Sequence, residues 1–377
     1  MSKIDELLKE LCPDGVEWKE LVDVVKTISP PIKLKVDSYL RSGLFPIIDQ
    51  SKDQIAGYTD DISNTLPDGQ YILYGDHTLA VKYYDGRFAQ GADGLKILLS
   101  KGSLPKYIYY CICAYNIQSN EYKRHWTQAK QIKLPIPPLP IQQHIVEVLD
   151  TFTDAISNLE EELALREKQF EYYREHLYQF DDECSIKTIK DISVKCFPGA
   201  TPSTKKPEYW QNGTIPWMSS GETHQGQVKT IAGRITQLGY DSSSTKMVPI
   251  NSIVVALAGQ GKTRGTVAIT RMELCTNQSL CAIIPDQSMV VPEYLYFYLK
   301  GQYFNLRQVS AGDGTRGGLT LKHIESYKVP VISLARQHKI VEILDTFEAM
   351  IANIKEEIAL RTKQYEYYRE KLLSFGK

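Results

Sequence analysis

The stretch Ala256-Leu257-Ala258-Gly259-Gln260-Gly261-Lys262-Thr263 has the spelling of a phosphate-binding loop: a small residue, four further positions, then Gly-Lys-Thr. Such a loop grips phosphate where a buried strand delivers a glycine-rich turn into the N-terminus of a helix, whose free amides and dipole hold the anion. Residues 252–257 have strand composition, but Arg264-Gly265-Thr266-Val267-Ala268-Ile269-Thr270, which follow, are β-branched around a glycine and favour a second strand. The reading is strand, turn, strand, with Lys262, Thr263 and Arg264 at a hairpin tip where they can meet phosphate of another kind. An ATP-dependent enzyme using Lys262 stays open as the lesser alternative. Pro13-Asp14 ahead of Glu17-Trp18-Lys19 spells a nuclease signature, yet too few residues separate the carboxylates for the converging strands that such a metal site needs. No Asn-Pro-Pro-aromatic tetrapeptide is present to grip a flipped adenine, and no serine stands in the context of a nucleophile elbow. The seven cysteines are scattered without a C-x-x-C pair, which argues against a zinc site or a disulfide framework. Cys111 and Cys113, two apart, would share one face if their segment is a strand. No catalytic residue, metal or cofactor is expected.

The elements that could position these residues follow from the whole chain. At 377 residues it is long enough for two or three domains, and 42% hydrophobic residues can fill their cores. No apolar run approaches a membrane span and the N-terminus lacks the apolar centre of a signal peptide, so a cytoplasmic location without membrane association is expected. The net charge of −1 is unevenly divided: residues 142–183 carry 3 basic and 12 acidic side chains, residues 184–328 carry 16 and 9. A block at +7 beside an acidic one is consistent with a polyanion partner, and equally with a solvated surface.

An internal repeat sets the plan. Residues 134–180 recur at 329–375 at an offset of 195 without a gap, and both copies end in Glu-Tyr-Tyr-Arg-Glu plus a short apolar tail. Apolar residues alternate at spacings of four and three: Ile145, Leu149, Phe152, Ile156, Leu159, Leu163, Phe170, Tyr173 and Leu177 in the first copy, and Ile340, Leu344, Phe347, Ile351, Ile354, Ile358, Tyr365, Tyr368 and Leu372 in the second. This is a heptad seam. Helices of about 36 residues, roughly 54 Å long at 1.5 Å per residue, need a partner for such a stripe, and the duplicate is the obvious one, in an antiparallel pair. Arg166 and Arg361 break the seam, reaching a nearby glutamate or fixing register. Leu165 and Tyr172, with Leu360 and Tyr367, form a second partial stripe that a two-helix pair leaves over. Pro135, Pro137, Pro138 and Pro140 end the preceding segment before the first helix begins.

The expected fold is α+β: two mixed α/β globular domains separated by two long helices that pair as an antiparallel coiled coil, with pseudo-two-fold symmetry. The segments are 1–16 (N-terminal), 17–133 (first globule), 134–183 (first helix), 184–328 (second globule) and 329–377 (second helix). Several motifs in this order make the chain resemble the specificity subunit of type I restriction-modification systems: GATPSTKKPEYWQNGTIPW at 199–217, Thr276-Asn277-Gln278, GDGTRGGLT at 312–320, GDHTLAVKYYDGRFAQGADGLKIL at 75–98, and Tyr122-Lys123-Arg124-His125-Trp126. Both copies of Leu-Asp-Thr-Phe, at 149–152 and 344–347, are similar to the family's spacer helices. The resemblance implies a non-catalytic subunit that reads double-stranded DNA. Each globule would be a target recognition domain for one half of an interrupted site, with paired helices setting the gap. Two methyltransferase subunits would dock on it, joined in the full complex by translocating nuclease subunits.

Sequence reading needs paired donors and acceptors at base edges, with phosphate clamps around them. Loops of the first globule offer Lys52, Gln54, Asp76, His77, Thr78, Lys123 and Arg124; loops of the second offer Ser203, Thr204, Lys205, Ser219, Ser220, Lys262, Thr263, Arg264, Gln278 and Arg316. Asn277 and His77 suit the bracing of a turn, and Trp210 and Trp217 suit packing over base stacking. A coiled-coil scaffold that binds only proteins is the other alternative.

Overall fold

A computed structural model describes residues 3–119, 121–180, 184–259, 262–309 and 318–375. The chain forms two compact units, residues 1–160 with 356–377, and residues 161–355.

In the first unit a short N-terminal helix, α1 (Lys3–Leu11), precedes β1 (Trp18–Glu20), α2 (Leu21–Val24) and β2 (Val25–Ile28). Seven strands follow: β3 (Phe45–Ile48), β4 (Gly57–Thr59), β5 (Thr65–Leu66), β6 (Gln70–Gly75), β7 (Val81–Asp85), β8 (Phe88–Gln90) and β9 (Leu95–Ser100). Then come α3 (Pro105–Tyr115), α4 (Trp126–Ala129), β10 (Lys133–Pro135) and the long α5 (Leu139–His176). The strands make two four-stranded sheets, ordered β2-β9-β6-β7 and β4-β3-β8-β5, while β1 pairs with β10. Strand β6 (QYILYG) is buried at all but its first residue, because one face meets α3 and α5 and the other the second sheet.

The second unit contains β11 (Ser185–Thr188), β12 (Ser193–Pro198), β13 (Ile215–Met218), β14 (Gln227–Val228), β15 (Arg234–Ile235), α6 (Gln237–Asp241), β16 (Met247–Val248), β17 (Ile253–Ala256), β18 (Val267–Thr270), β19 (Leu274–Thr276) and β20 (Leu280–Pro285). It closes with α7 (Pro292–Gly301), α8 (Tyr303–Val309), α9 (Leu321–Glu325), β21 (Lys328–Val331) and α10 (Leu334–Leu373). Its sheets are ordered β12-β20-β17-β18-β14 and β15-β13-β19-β16, with β11 on β21. Apart from β14, a fifth strand added beyond β18, this is the plan of the first unit. The parallel pairing of β3 with β8 recurs as β13 with β19, and the β6–β7 hairpin recurs as β17–β18. The hairpin is strand, turn, strand, as its β-branched composition requires.

Matching hydrogen bonds fix the correspondence. Gly91 donates to the Ile48 carbonyl as Asn277 donates to Met218, and Leu34 donates to Gln90 as Ala200 does to Thr276. Helices α3 and α7 both start from a Leu-Pro or Val-Pro step and are capped from outside. The Leu104 amide donates to Gln142 Oε1 at 2.9 Å, and the Val291 amide to Gln337 Oε1 at 2.8 Å. Each glutamine also donates to a carbonyl just before its own helix, Pro137 or Ile332, at 2.8 Å in both cases. The hydroxyls of Tyr107 and Tyr294 donate in the same way to the carbonyls of Pro135 and Pro330.

Within each unit the long-helix segments run antiparallel. In the first, Ile145 and Leu149 share a core with Leu372 and Leu373, and Phe152 stacks on Tyr368 with centroids 5.1 Å apart. In the second, Phe170 shares a core with Ile340 and Leu344, and Tyr173 stacks on Phe347 at 5.2 Å. Phe152 and Phe347 are repeat mates, as are Tyr173 and Tyr368, so the two copies exchange roles. Leu177 packs against the second unit's core and Tyr365 against the first's, whereas Ile156, Leu159, Leu163, Ile351, Ile354 and Ile358 are half-buried along the shafts. Arg166 lies along its own helix to Glu162 at 3.4 Å and Arg361 to Glu357 at 3.2 Å. Three readings of the sequence change. Helix α5 begins at Leu139 with Pro140 in its first turn, where a missing amide has no partner to lose. Helices α5 and α10 run to 38 and 40 residues. Cys111 and Cys113 lie on α3, not on a strand, because an all-apolar run has no period to tell the two apart.

Candidate nucleic-acid interface

The strand plan brings three loops to one edge of the first unit: residues 49–56 after β3, 76–80 between β6 and β7, and 91–94 between β8 and β9. They meet on Gln50. Its side chain accepts from the His77 amide at 3.2 Å and donates to the Asp93 carbonyl at 3.0 Å, and its carbonyl accepts from the Thr78 hydroxyl. Gly75 and Gly94 flank this knot; a Cβ on Gly94, where φ is +101°, would lie 2.4 Å from Gln50 Oε1. The segment 121–126 joins through Asp76, whose Oδ1 accepts from the amides of His125 at 2.9 Å and Trp126 at 2.8 Å, with Lys96 3.7 Å from Oδ2. Tyr122 is 81% exposed and stacks on His77 at 4.9 Å.

The residues named from sequence therefore fall into two kinds. Lys52, Gln54, Lys123 and Arg124 are exposed at this edge, with Gln54 holding the Tyr83 carbonyl and Lys123 paired with Glu121. Asp76 and Thr78 spend their side-chain polar groups inside the knot, and Asp76 is buried, whereas His77 joins through its amide and its ring stacks on Tyr122. Lys33 and Lys96, which the sequence reading passed over, add cations. Lys33 reaches Asp93 at 2.6 Å and, through that bond and charge, holds the Asp93 carboxyl below the usual carboxylate range.

The second unit presents the same three connections with different chemistry. Ser219 and Ser220 follow β13; Ser219 forms a capping box with Glu222. Lys262, Thr263 and Arg264 lie between β17 and β18, and Gln278 lies between β19 and β20. The Leu257 amide donates to the Ser279 carbonyl at 2.8 Å, and the hydroxyls of Thr223 and Thr266 are 2.7 Å apart, so the loops are tied together. Tyr303 and Arg307 of α8 donate to the carbonyls of Lys262 and Arg264, fixing that hairpin's backbone while the Lys262 side chain stays exposed. Ser203, Thr204 and Lys205 are exposed on a neighbouring loop that Thr201 joins to Gln278 by a hydroxyl bond. Trp210 and Trp217 pack edge to face at 5.0 Å and donate their Nε1 hydrogens to the carbonyls of Ser203 and Ala200. Asn277 accepts from the Ser279 amide at 3.1 Å and braces its turn. Arg316 lies outside the described residues. A cleft of about 1390 Å³ in this unit is lined by a near-balanced set, Lys168, Lys229, Arg271, Lys300 and Lys355 against Glu167, Glu171, Asp345 and Glu348, which does not favour a polyanion.

The model of the type I restriction-modification DNA specificity domain matches this chain twice, at residues 13–166 and 182–360. The chain belongs to that family. It is 33% identical to the Escherichia coli type I restriction enzyme EcoR124I/EcoR124II specificity subunit, over 100% of this chain and 98% of that one. A putative type I restriction enzyme specificity subunit of Haemophilus influenzae is 27% identical over 96% of each. The crystal structure of the S subunit of a type I restriction-modification system from M. genitalium has the same fold, with a TM-score of 0.66 at 16% identity over 95% of this chain and 96% of that one. Among the described residues no helix is long and apolar enough to cross a membrane.

Proposed function

We propose that the chain is the non-catalytic, cytoplasmic DNA-reading subunit of a type I restriction-modification complex, with residues 17–133 and 184–328 as its two target recognition domains. The loop edge of each reads one half of an interrupted duplex site. Helices α5 and α10 set the gap and dock two methyltransferase subunits, and translocating nuclease subunits join in the full complex. The single observation that supports this most is the reuse of one set of strand connections to carry two unlike sets of loop side chains, as a reader of two different half-sites requires. Exposed amides and hydroxyls suit base edges, and lysines and arginines beside them suit phosphate. Helices of 38 and 40 residues, about 57 and 60 Å long, match roughly one and a half turns of duplex.

Titration of the full chain, with its modification subunits, against random duplex DNA at rising salt tests the reading. The logarithm of affinity falls linearly with the logarithm of salt, and Lys123→Ala or Lys262→Ala each flattens the slope by about one. Affinity that does not respond to salt would instead support a scaffold that binds only proteins, and nucleotide binding abolished by Lys262→Ala would support the phosphate-loop reading.

A further inference from the structure

Lys82 is 4% exposed in the middle of β7, yet among the described residues no carboxylate oxygen lies within 4 Å of its ammonium. Its Nζ donates instead to two carbonyls of the loop after β3, that of Asp49 at 2.9 Å and that of Asp53. The loop closes around this cation. The Ser51 amide donates to Asp49 Oδ1 at 2.9 Å, Gln50 is held by the other two loops, and Lys52, Asp53 and Gln54 are left on the outside. Burial pulls the Lys82 ammonium below the usual lysine range, against the opposing charges of Asp49 and Asp53. A buried cation is costly and persists where its hydrogen bonds are satisfied and useful.

The second unit supplies the comparison that separates fold from purpose. Lys82 pairs with Leu73 across the β6–β7 hairpin; the matching pair across β17–β18 is Val254 with Ala268, and Ala268 is fully buried. The shared strand plan is thus built equally well with a methyl group at this position. In that unit the loop after β13 is tied down by the Thr223–Thr266 hydroxyl pair instead.

We infer that Lys82 is a specificity-determining positioning residue: it serves as an internal cation that moulds the 49–54 backbone into one shape, so that Lys52 and Gln54 meet the bases and phosphates of one half-site in fixed register. The inference rests on the duplex-reading role proposed above. Lys82 touches no DNA itself, and the shape it imposes concerns one half-site only.

Selection of random duplexes by the full chain, co-purified with its modification subunits, tests this. Wild type enriches an interrupted motif with two defined halves. Lys82→Met degrades one half, lowering its preference over a single mismatch at least tenfold, and leaves the other half and the gap intact. Gln50→Ala, which frees the same loop without emptying a buried site, degrades the same half and decides the matter should Lys82→Met fail to fold. Both halves kept, or both lost together, in the folded variant overturns the role of Lys82. A wild-type selection with no interrupted motif overturns the duplex-reading role instead, so the two failures are distinct.

Discussion

Asp76 and Lys123 share one loop edge and have opposite tasks. Asp76 holds two backbone amides and sits near Lys96; Asp76→Ala leaves the Trp126 amide without its acceptor, while the His125 amide keeps the Asp76 carbonyl, and lowers the free energy of unfolding by about 1–2 kcal/mol in urea titrations. Lys123 is exposed beside Glu121; Lys123→Ala changes stability by less than about 0.5 kcal/mol and acts on DNA binding alone. Sequence places both in loops but says nothing about which way a side chain turns, which is why Asp76 and Thr78 stand among the outward candidates although both turn inward. Lys82 left one visible trace, a lysine inside the strand-like run Val81-Lys82-Tyr83-Tyr84. In the second unit, burial raises the Asp345 carboxyl, as do Glu293 and Glu348, with Arg271 opposing them. A carboxyl raised in the folded state weakens the fold as pH climbs past the ordinary carboxylate value, and the full loss is reached above the raised one. Asp345→Asn therefore melts above wild type at pH 7, and the difference closes as the pH falls below about 4, a comparison that calorimetry makes directly.

At the scale of elements, the long helices were legible because a heptad seam repeated at a fixed offset leaves little choice, and the β17–β18 hairpin because β-branched residues crowd both arms. The twin topology of the globules was not. Strands are specified by burial, which many sequences satisfy, so 17–133 and 184–328 share a plan with few shared letters. One trace survives in Leu104-Pro105-Lys106-Tyr107 and Val291-Pro292-Glu293-Tyr294, offset by 187 where the helices are offset by 195. These steps matter because Gln142 and Gln337 cap them. Gln337→Leu leaves the buried Val291 amide and two carbonyls unpaired and costs about 3 kcal/mol in chemical unfolding. Leu165 and Tyr172 are 60% and 56% exposed, Leu360 and Tyr367 54% and 58%, an apolar pair repeated on each helix. With docking of methyltransferase subunits on the helices, Tyr172→Lys with Tyr367→Lys reduces their co-purification and leaves the melting temperature unchanged.

For the whole molecule, the uneven charge acquires a meaning that the net value of −1 conceals: the basic block 184–328 carries the loop edge proposed to read DNA, and the acidic run 142–183 is mostly helix. Which bases are read stays beyond the letters, since a shift of one loop residue changes the pattern of donors. The division of labour between loops and helices can be tested without knowing them. Sites methylated in cells that express the chain with its modification subunits are mapped by sequencing, for wild type and for a chain lacking one heptad from each long helix, residues 158–164 and 353–359. Seven residues at 1.5 Å amount to about three base pairs at 3.4 Å. The account predicts an interrupted motif in wild type and the same two halves, separated by a gap about three base pairs shorter, in the deletion. An uninterrupted wild-type motif, or half-sites that change when only the helices are cut, would contradict it.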